Sequence, residues 1–231
     1  MIFRQLFDKE SSTYTYLLGD ETSRQALLID PVLEGLDDYL QLLHELNLTL
    51  VCALDTHTHA DHITASGRLR DLTGCTTYLG KESGSDCVSH TLSDGKRVSL
   101  GDLTLTALYT PGHTDDSYSF AVIADAQHYL FSGDTLLIRS TGRTDFQNGS
   151  AREQYRSIHN KLLTLPDSTW VYPAHDYKGW SRSTIAEERQ HNPRLQIRSE
   201  ADYEDVMANL NLASPKMMDI AVPANRTCGK S

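Results

Sequence analysis

One short stretch constrains this chain more than any other feature, because it places four metal-binding side chains within six residues: His57, His59, Asp61 and His62. It directly follows residues 48–54, an apolar run that predicts a buried strand. Residues i and i+2 of an extended segment share a side, so His57 and His59 can converge on one point. Asp61 and His62, beyond the next turn, can face a neighbouring point. Since burying such a cluster without partners is costly, the stretch predicts a metal site at the end of a strand.

Three further candidate ligands occupy similar positions, each directly after an apolar segment: His113, Asp134 and His175. A glycine or alanine precedes each of them, which lets the backbone turn close to a metal without obstruction from a side chain. A carboxylate such as Asp134 can bridge two ions or complete one site. Taken alone, each residue is compatible with an ordinary turn. Together with the first cluster, they predict one site built from the ends of several strands.

The rest of the chain alternates strand and helix patterns. Short β-branched and aromatic runs predict strands at residues 13–18, 26–29, 48–54, 76–78, 97–100, 103–109, 117–124, 128–131 and 169–172. Apolar periodicity and capping pairs predict helices at residues 36–46 and 63–72 and helices opened by Ser150, Thr184 and Ser199. Strands at both ends of the core with helices between them predict two sheets flanked by helices.

Composition excludes several classes of protein. The chain has 231 residues and a formal net charge of −10, which argues against a nucleic-acid partner held through phosphates and against adsorption to an anionic membrane. No apolar run approaches the roughly 18 residues that a membrane span needs. Asp8 and Glu10 interrupt the region where a signal peptide would be apolar, so we expect a cytoplasmic protein.

The four cysteines lie far apart and form no C-x-x-C pair: Cys52, Cys75, Cys87 and Cys228. Such spacing is typical neither of a disulfide framework nor of a thiolate zinc site. We therefore expect reduced thiols.

The complete set of candidate ligands resembles that of the metallo-β-lactamase superfamily, whose H-x-H-x-D-H motif is reproduced by residues 57–62. The resemblance implies an α/β fold, an αββα sandwich of two mixed sheets flanked by helices, with the metal site at one edge between the sheets. It also implies a single domain over residues 1–231, with a short C-terminal helical extension and tail.

Seven stretches are similar to the persulfide (sulfur) dioxygenase family within that superfamily: YLLGD (16–20), LIDPV (28–32), DHIT (61–64), LLIR (136–139), GRTDFQ (142–147), YPAHDY (172–177) and AVPAN (221–225). They cover nearly the whole chain and are more specific than the shared metal motif. One departure is the stretch Thr114-Asp115-Asp116 that follows His113, where many relatives place Pro-Gly. Two acids at that point could alter the loop or the electrostatic field at the metal.

The family resemblance implies one Fe(II) per chain, held by His57, His113 and Asp134. Three ligands on one face leave positions for water, substrate and O₂, as a non-haem iron oxygenase requires. On this interpretation the other motif residues orient the ligands through hydrogen bonds, or else hold a second metal: His59, Asp61, His62 and His175. The implied reaction converts glutathione persulfide, O₂ and water into glutathione and sulfite.

Glutathione carries two carboxylates, so an acidic protein needs a local cationic pocket to bind it. Arg139 and Arg143 follow Asp134 on the loop that leaves the predicted metal edge, and arginine can grip a carboxylate with paired hydrogen bonds. Similarity to the family adds three further candidates for substrate binding: Tyr177, Arg226 and Lys230. The family resemblance also implies a homodimer.

Two alternatives use the same fold. A glyoxalase II-type hydroxyacylglutathione hydrolase would use all seven ligands to hold two metals and activate a bridging water. The stretch at residues 143–147 and the short C-terminal region argue against it, since those thioesterases carry a larger C-terminal helical domain. A non-enzymatic persulfide carrier or sensor is the second alternative, because a fold does not fix its function.

Overall fold

The computed structural model describes residues 1–210, 212–213 and 217–229. Twelve strands build two sheets of six: β1 Ile2–Asp8, β2 Thr13–Gly19, β3 Gln25–Ile29, β4 Thr49–Leu54, β5 Thr76–Gly80, β6 His90–Leu92, β7 Arg97–Leu100, β8 Leu103–Tyr109, β9 Tyr118–Ala124, β10 Gln127–Gly133, β11 Trp170–Pro173 and β12 Ser183–Thr184. Six α-helices accompany them: α1 Leu36–Glu45, α2 Ser66–Thr73, α3 Ala151–Asn160, α4 Ile185–His191, α5 Glu200–Ala208 and α6 Met218–Arg226.

Both sheets contain parallel and antiparallel pairs. The first has the order β1-β2-β3-β4-β5-β6, with parallel pairing from β3 onward. The second has the order β12-β11-β10-β9-β8-β7, in which β10 and β11 form the parallel pair. The predicted αββα sandwich of two mixed sheets is confirmed.

Strand β2 shows how the sequence specifies the layers. Successive side chains of a strand point to opposite faces, so Tyr16 and Leu18 pack between the sheets with Phe131, whereas Leu17 packs outward against Leu43 of α1. Every residue of β2 is buried, because both faces of its sheet are covered. Helices α3 and α4 cover the outer face of the second sheet in the same way.

The three capped helices begin where the sequence predicts. The hydroxyls of Ser150, Thr184 and Ser199 each accept the N–H three residues further on, at 3.2, 3.1 and 3.1 Å. The helix predicted at 63–72 starts later, at Ser66. The preceding backbone bonds to distant segments instead, because Ile63 O accepts from Leu33 N and Ala65 N donates to Pro31 O. No local pattern predicted strands β1, β6 and β12 or helix α6, although the family resemblance implied a short C-terminal helical extension without giving its bounds. No helix in the described part of the chain is long and apolar enough to cross a membrane.

The prediction of four reduced thiols is wrong for one pair. Cys87 and Cys228, 141 residues apart, form a disulfide that ties the end of α6 to the segment before β6. Cys52 and Cys75 are free and buried. Spacing along the chain carries no signal for this pairing, since only the folded structure brings the two cysteines together.

The disulfide makes stability depend on redox conditions. We expect reduction, or Cys87→Ser, to lower the free energy of unfolding by about 2–5 kcal/mol, because the bond restricts the unfolded chain over a long loop. Urea denaturation with and without reductant measures the effect, and Cys87→Ser should no longer respond to reductant. Alkylation of four thiols in protein that is denatured without reductant would contradict the pairing, since two are expected.

Candidate metal centre

The candidate ligands follow the ends of four strands, and the two sheets bring them to one edge of the sandwich. β4 of the first sheet leads into the segment that carries His57. In the second sheet, β8, β10 and β11 lead to His113, Asp134 and His175. The site therefore lies where the sheets open toward each other, as the sequence predicts.

His57, His113 and Asp134 form one compact group, whose ligand atoms all lie within 4.8 Å of one another. His113 Nε2 is 3.4 Å from Asp134 Oδ2. The rings of His57 and His113 are nearly perpendicular, with centroids 4.8 Å apart. Two imidazoles and a carboxylate at this separation can share one metal ion.

Hydrogen bonds to the Nδ1 atoms of His57 and His113 determine which ring nitrogen is left to bind a metal. His113 Nδ1 lies 2.7 Å from the carbonyl of Arg143. A carbonyl only accepts, so Nδ1 carries the proton and Nε2 keeps its lone pair. His57 Nδ1 lies 3.0 Å from the hydroxyl of Thr56, which itself donates to Asp30 at 3.0 Å. That hydroxyl therefore accepts from His57 Nδ1–H. Burial lowers the pKa of His57 well below its ordinary value, which keeps the ring neutral and able to bind a metal.

His59, Asp61 and His62 form a second candidate group, and His175 lies beside it. Asp61 accepts from Thr13 Oγ1 at 3.1 Å and from His62 Nδ1 at 2.9 Å. Burial acts to raise the pKa of Asp61, but the charges of His175 and His62 outweigh it and hold this pKa well below its usual range. Conversely, burial lowers the pKa of His175, whereas Asp134 and Asp61 raise it to about 9.

The donor set fits a metal ion. Among the described residues, three buried polar atoms of the two candidate groups have no hydrogen-bond partner: Asp134 Oδ1 in the first group, and His59 Nδ1 and His62 Nε2 in the second. Groups of this kind are costly to bury unpaired unless something else binds them. Imidazole and carboxylate ligands suit iron, zinc, manganese and cobalt alike. The site is therefore a metal centre by its chemistry, and the donors alone do not select the metal.

Asp30 also belongs to the site, although the sequence analysis assigned it no role there. It follows β3, is 1% exposed, and accepts hydrogen bonds from Thr56 and His59. Burial raises the pKa of its carboxyl to about 6, with the bonds from Thr56 acting in the opposite direction. The sequence signal that could have identified Asp30 is its position, as an acid directly after the apolar residues of β3.

The departure after His113 has a structural role. Asp116 is buried and accepts from the N–H and hydroxyl of Thr58 at 3.0 and 2.5 Å and from Thr114 Oγ1 at 2.6 Å. It thereby ties the segment between His57 and His59 to the His113 loop. Asp115 instead accepts from the exposed amide of Asn148 at 2.8 Å.

A cavity of about 520 Å³ opens onto the candidate ligands His113, Asp134, Asp61 and His175. Four cationic side chains contribute to its wall: Arg139, Arg143, Lys178 and Arg194. The wall also contains three carboxylates, those of Asp61, Asp134 and Asp176, of which Asp61 and Asp134 belong to the candidate ligand groups. The cationic part of the wall is suited to an anionic ligand.

Two of the predicted substrate-binding residues line this cavity with their charges already paired. Arg139 bonds to Glu187 at 2.9 Å and also to Glu188, and it lies over the ring of Trp180. Arg143 holds Asp145 with two bonds of 2.7 and 2.8 Å. A ligand carboxylate would have to compete with these partners.

The other three predicted contacts are distributed differently. Tyr177 lines the cavity, is 72% exposed, and stacks on His175 with ring centroids 6.0 Å apart. Arg226 is exposed on α6 and is not among the residues that line the cavity. Lys230 lies outside the described residues.

Lys178 and Arg194 line the cavity but were missed by sequence reasoning. In the part of the chain that the structure describes, neither side chain has an acidic partner within ion-pair distance. Lys178 lies three residues beyond His175, which was the one available signal. Arg194 is brought to the cavity by the fold alone.

Comparisons with known proteins agree with this geometry. A sequence model of the Metallo-beta-lactamase superfamily matches residues 8–87 and 88–175. Persulfide dioxygenase ETHE1, mitochondrial, of Mus musculus is 48% identical over 99% of this chain and 89% of its own length, and the Homo sapiens protein is 47% identical with the same coverage. The crystal structure of ETHE1 from Myxococcus xanthus superposes with a TM-score of 0.96 at 55% identity and covers 100% of both chains. The chain therefore belongs to the metallo-beta-lactamase superfamily and, within it, to the persulfide dioxygenase family.

Proposed function

We propose that this chain is a glutathione-dependent persulfide dioxygenase that holds one Fe(II) per chain through His57, His113 and Asp134. The observation that carries the proposal is the compact group of two imidazoles and one carboxylate beside a cavity that has cationic side chains in its wall. High identity to named persulfide dioxygenases over nearly the whole chain supports the activity.

The proposed reaction balances without another reactant. Glutathione persulfide, O₂ and water yield glutathione, sulfite and two protons. The terminal sulfur loses four electrons, and O₂ accepts all four. Fe(II) at this site would supply exchangeable coordination positions and the electrons that make O₂ reactive.

The protein's own residues prepare the site for this chemistry. The Arg143 carbonyl and the Thr56 hydroxyl hold protons on the Nδ1 atoms of His113 and His57, so both rings present a lone pair from Nε2. Lys178 and Arg194 offer unpaired positive charge to the glutathione carboxylates, and Tyr177 offers a flat ring at the cavity mouth. Binding the remote part of the substrate in this way places its terminal sulfur near the metal ligands.

Other features of the proposal rest on the sequence. The iron, a cytoplasmic location, a homodimer and a single domain over residues 1–231 are predictions. We assign His59, Asp61, His62 and His175 to orienting hydrogen bonds. The glyoxalase II-type alternative gains no support from the comparisons.

An oxygen-electrode experiment tests the proposal. Protein loaded anaerobically with Fe(II) is expected to consume O₂ and form equimolar sulfite when glutathione persulfide is added, whereas protein loaded with zinc should do neither. Zinc cannot supply electrons to O₂, which is the reason for the difference. Hydrolysis of S-lactoylglutathione by the zinc sample without O₂ uptake by the iron sample would favour the dinuclear hydrolase instead.

A further inference from the structure

Asn225, near the end of α6, joins the C-terminal helix to the backbone of the metal-binding segment. Its Nδ2 donates to the carbonyls of His59 and His62 at 2.9 and 2.8 Å, and its Oδ1 accepts from the N–H of Thr64 at 2.8 Å. The residue is 4% exposed. Both N–H donors and the oxygen of the amide are therefore used by one six-residue segment, residues 59–64.

That segment has no regular secondary structure whose hydrogen bonds could pair its backbone N–H and C=O groups. Residues 57–63 belong to neither a strand nor a helix. In the described part of the chain, no backbone N–H donates to the carbonyl of His59 or His62. Without Asn225, two carbonyls and one N–H would be buried unpaired, so the segment would have to shift to satisfy them.

The end of α6 is itself held firmly in place. Cys228, three residues beyond Asn225, is bonded to Cys87, and its carbonyl accepts from the N–H of Gly67 at 3.1 Å. A Cβ at Gly67 would lie 2.3 Å from that carbonyl, which shows how closely α2 approaches the helix end. These contacts therefore fix the position of the backbone that carries Asn225.

We propose that Asn225 is a positioning residue for the metal centre. It holds the backbone between His59 and Thr64 in the conformation that directs His57 toward His113 and Asp134. An asparagine can do this because one side chain supplies two donors and an acceptor, whereas aspartate supplies acceptors alone. The inference rests on the proposed metal site and extends it to the C-terminal helix.

The test compares Asn225→Ala and Asn225→Asp with Asn209→Asp, a matched change of an exposed asparagine that is not among the residues lining the cavity. Cobalt(II) serves as the probe, since its visible spectrum reports ligand geometry and chelator competition reports its affinity. Both Asn225 variants are expected to bind cobalt about 10- to 100-fold more weakly, as for loss of other residues that orient ligands. Their visible spectra should change as well, whereas Asn209→Asp should match the parent protein.

Stability is measured separately, on the metal-free proteins by circular dichroism, and cobalt binding is measured where each variant is fully folded. Asn225→Asp keeps the side-chain volume and the acceptor for Thr64, so it serves if the alanine variant does not fold. A lower melting temperature with unchanged cobalt affinity and spectrum would overturn the positioning role. If the parent protein itself binds no cobalt, the proposed metal site fails, which is a distinct outcome.

Discussion

Replacing Asp134 with alanine is expected to remove bound iron and persulfide-dependent O₂ uptake together. Asp134 is the one carboxylate in the group with His57 and His113, and its Oδ1 has no hydrogen-bond partner among the described residues. Loss of a residue that only orients a ligand weakens metal binding about 10- to 100-fold. Loss of a ligand itself should weaken metal binding more than this. Iron per chain after dialysis and the rate in an oxygen electrode measure the two effects.

Two control variants make the Asp134 experiment decisive. Asp167→Asn removes a carboxylate that is 71% exposed and precedes β11, whereas His175 follows the other end of that strand, so iron content and rate should be unchanged. His62→Ala removes an imidazole of the second group and, on the mononuclear proposal, should still bind one iron at saturating Fe(II). Iron at two per chain in the parent protein, with each variant losing one, would instead indicate a dinuclear centre.

Replacing Asp30 with alanine is expected to weaken both folding and metal binding. Its carboxylate accepts the N–H of Thr56 at 2.6 Å, the hydroxyl of Thr56 at 3.0 Å and His59 Nε2–H at 3.0 Å. Because an unpaired buried donor costs about 1–3 kcal/mol, the metal-free variant should lose about 3 kcal/mol of unfolding free energy or more. The Thr56 hydroxyl also fixes His57, so metal affinity should fall about 10- to 100-fold.

Denaturation in urea and chelator competition separate the two consequences. Asp30→Asn keeps an acceptor oxygen and should show smaller losses of both quantities. Asp20→Ala is a suitable control, since Asp20 accepts the N–H of Ser23 at 2.7 Å but follows the opposite end of β2 from the metal centre. If Asp30→Ala binds metal as tightly as the parent protein, the hydrogen bonds that link Asp30 to His57 through the Thr56 hydroxyl do not orient His57.

Much of the fold follows from local patterns. The strands that flank the candidate ligands and the helices opened by Ser150, Thr184 and Ser199 form where predicted. Alternation along β2 and the capping hydroxyls act over a few residues, so they can be recognised without knowing the neighbours. The same holds for the candidate ligands, because they lie in short segments that follow predicted strands.

Features that depend on distant segments were not predicted. The Cys87–Cys228 disulfide joins residues separated by 141 positions. The late start of α2 results from backbone bonds to residues 31 and 33. Lys178 and Arg194 acquire their place in the cavity from the loops around them. None of these leaves a periodic or compositional trace in the chain.

The sequence by itself determined the αββα fold, with its two sheets between helices, and the cluster of imidazoles and carboxylates beyond the ends of its strands. Their chemistry depends on residue type and short spacing, which are local properties. Only the tertiary structure decided which nitrogen of His57 and His113 faces the centre, which arginines already have acidic partners, and that Asn225 holds the metal-binding segment. Those properties are hydrogen bonds between segments far apart in the chain, and such bonds exist only once the chain has folded.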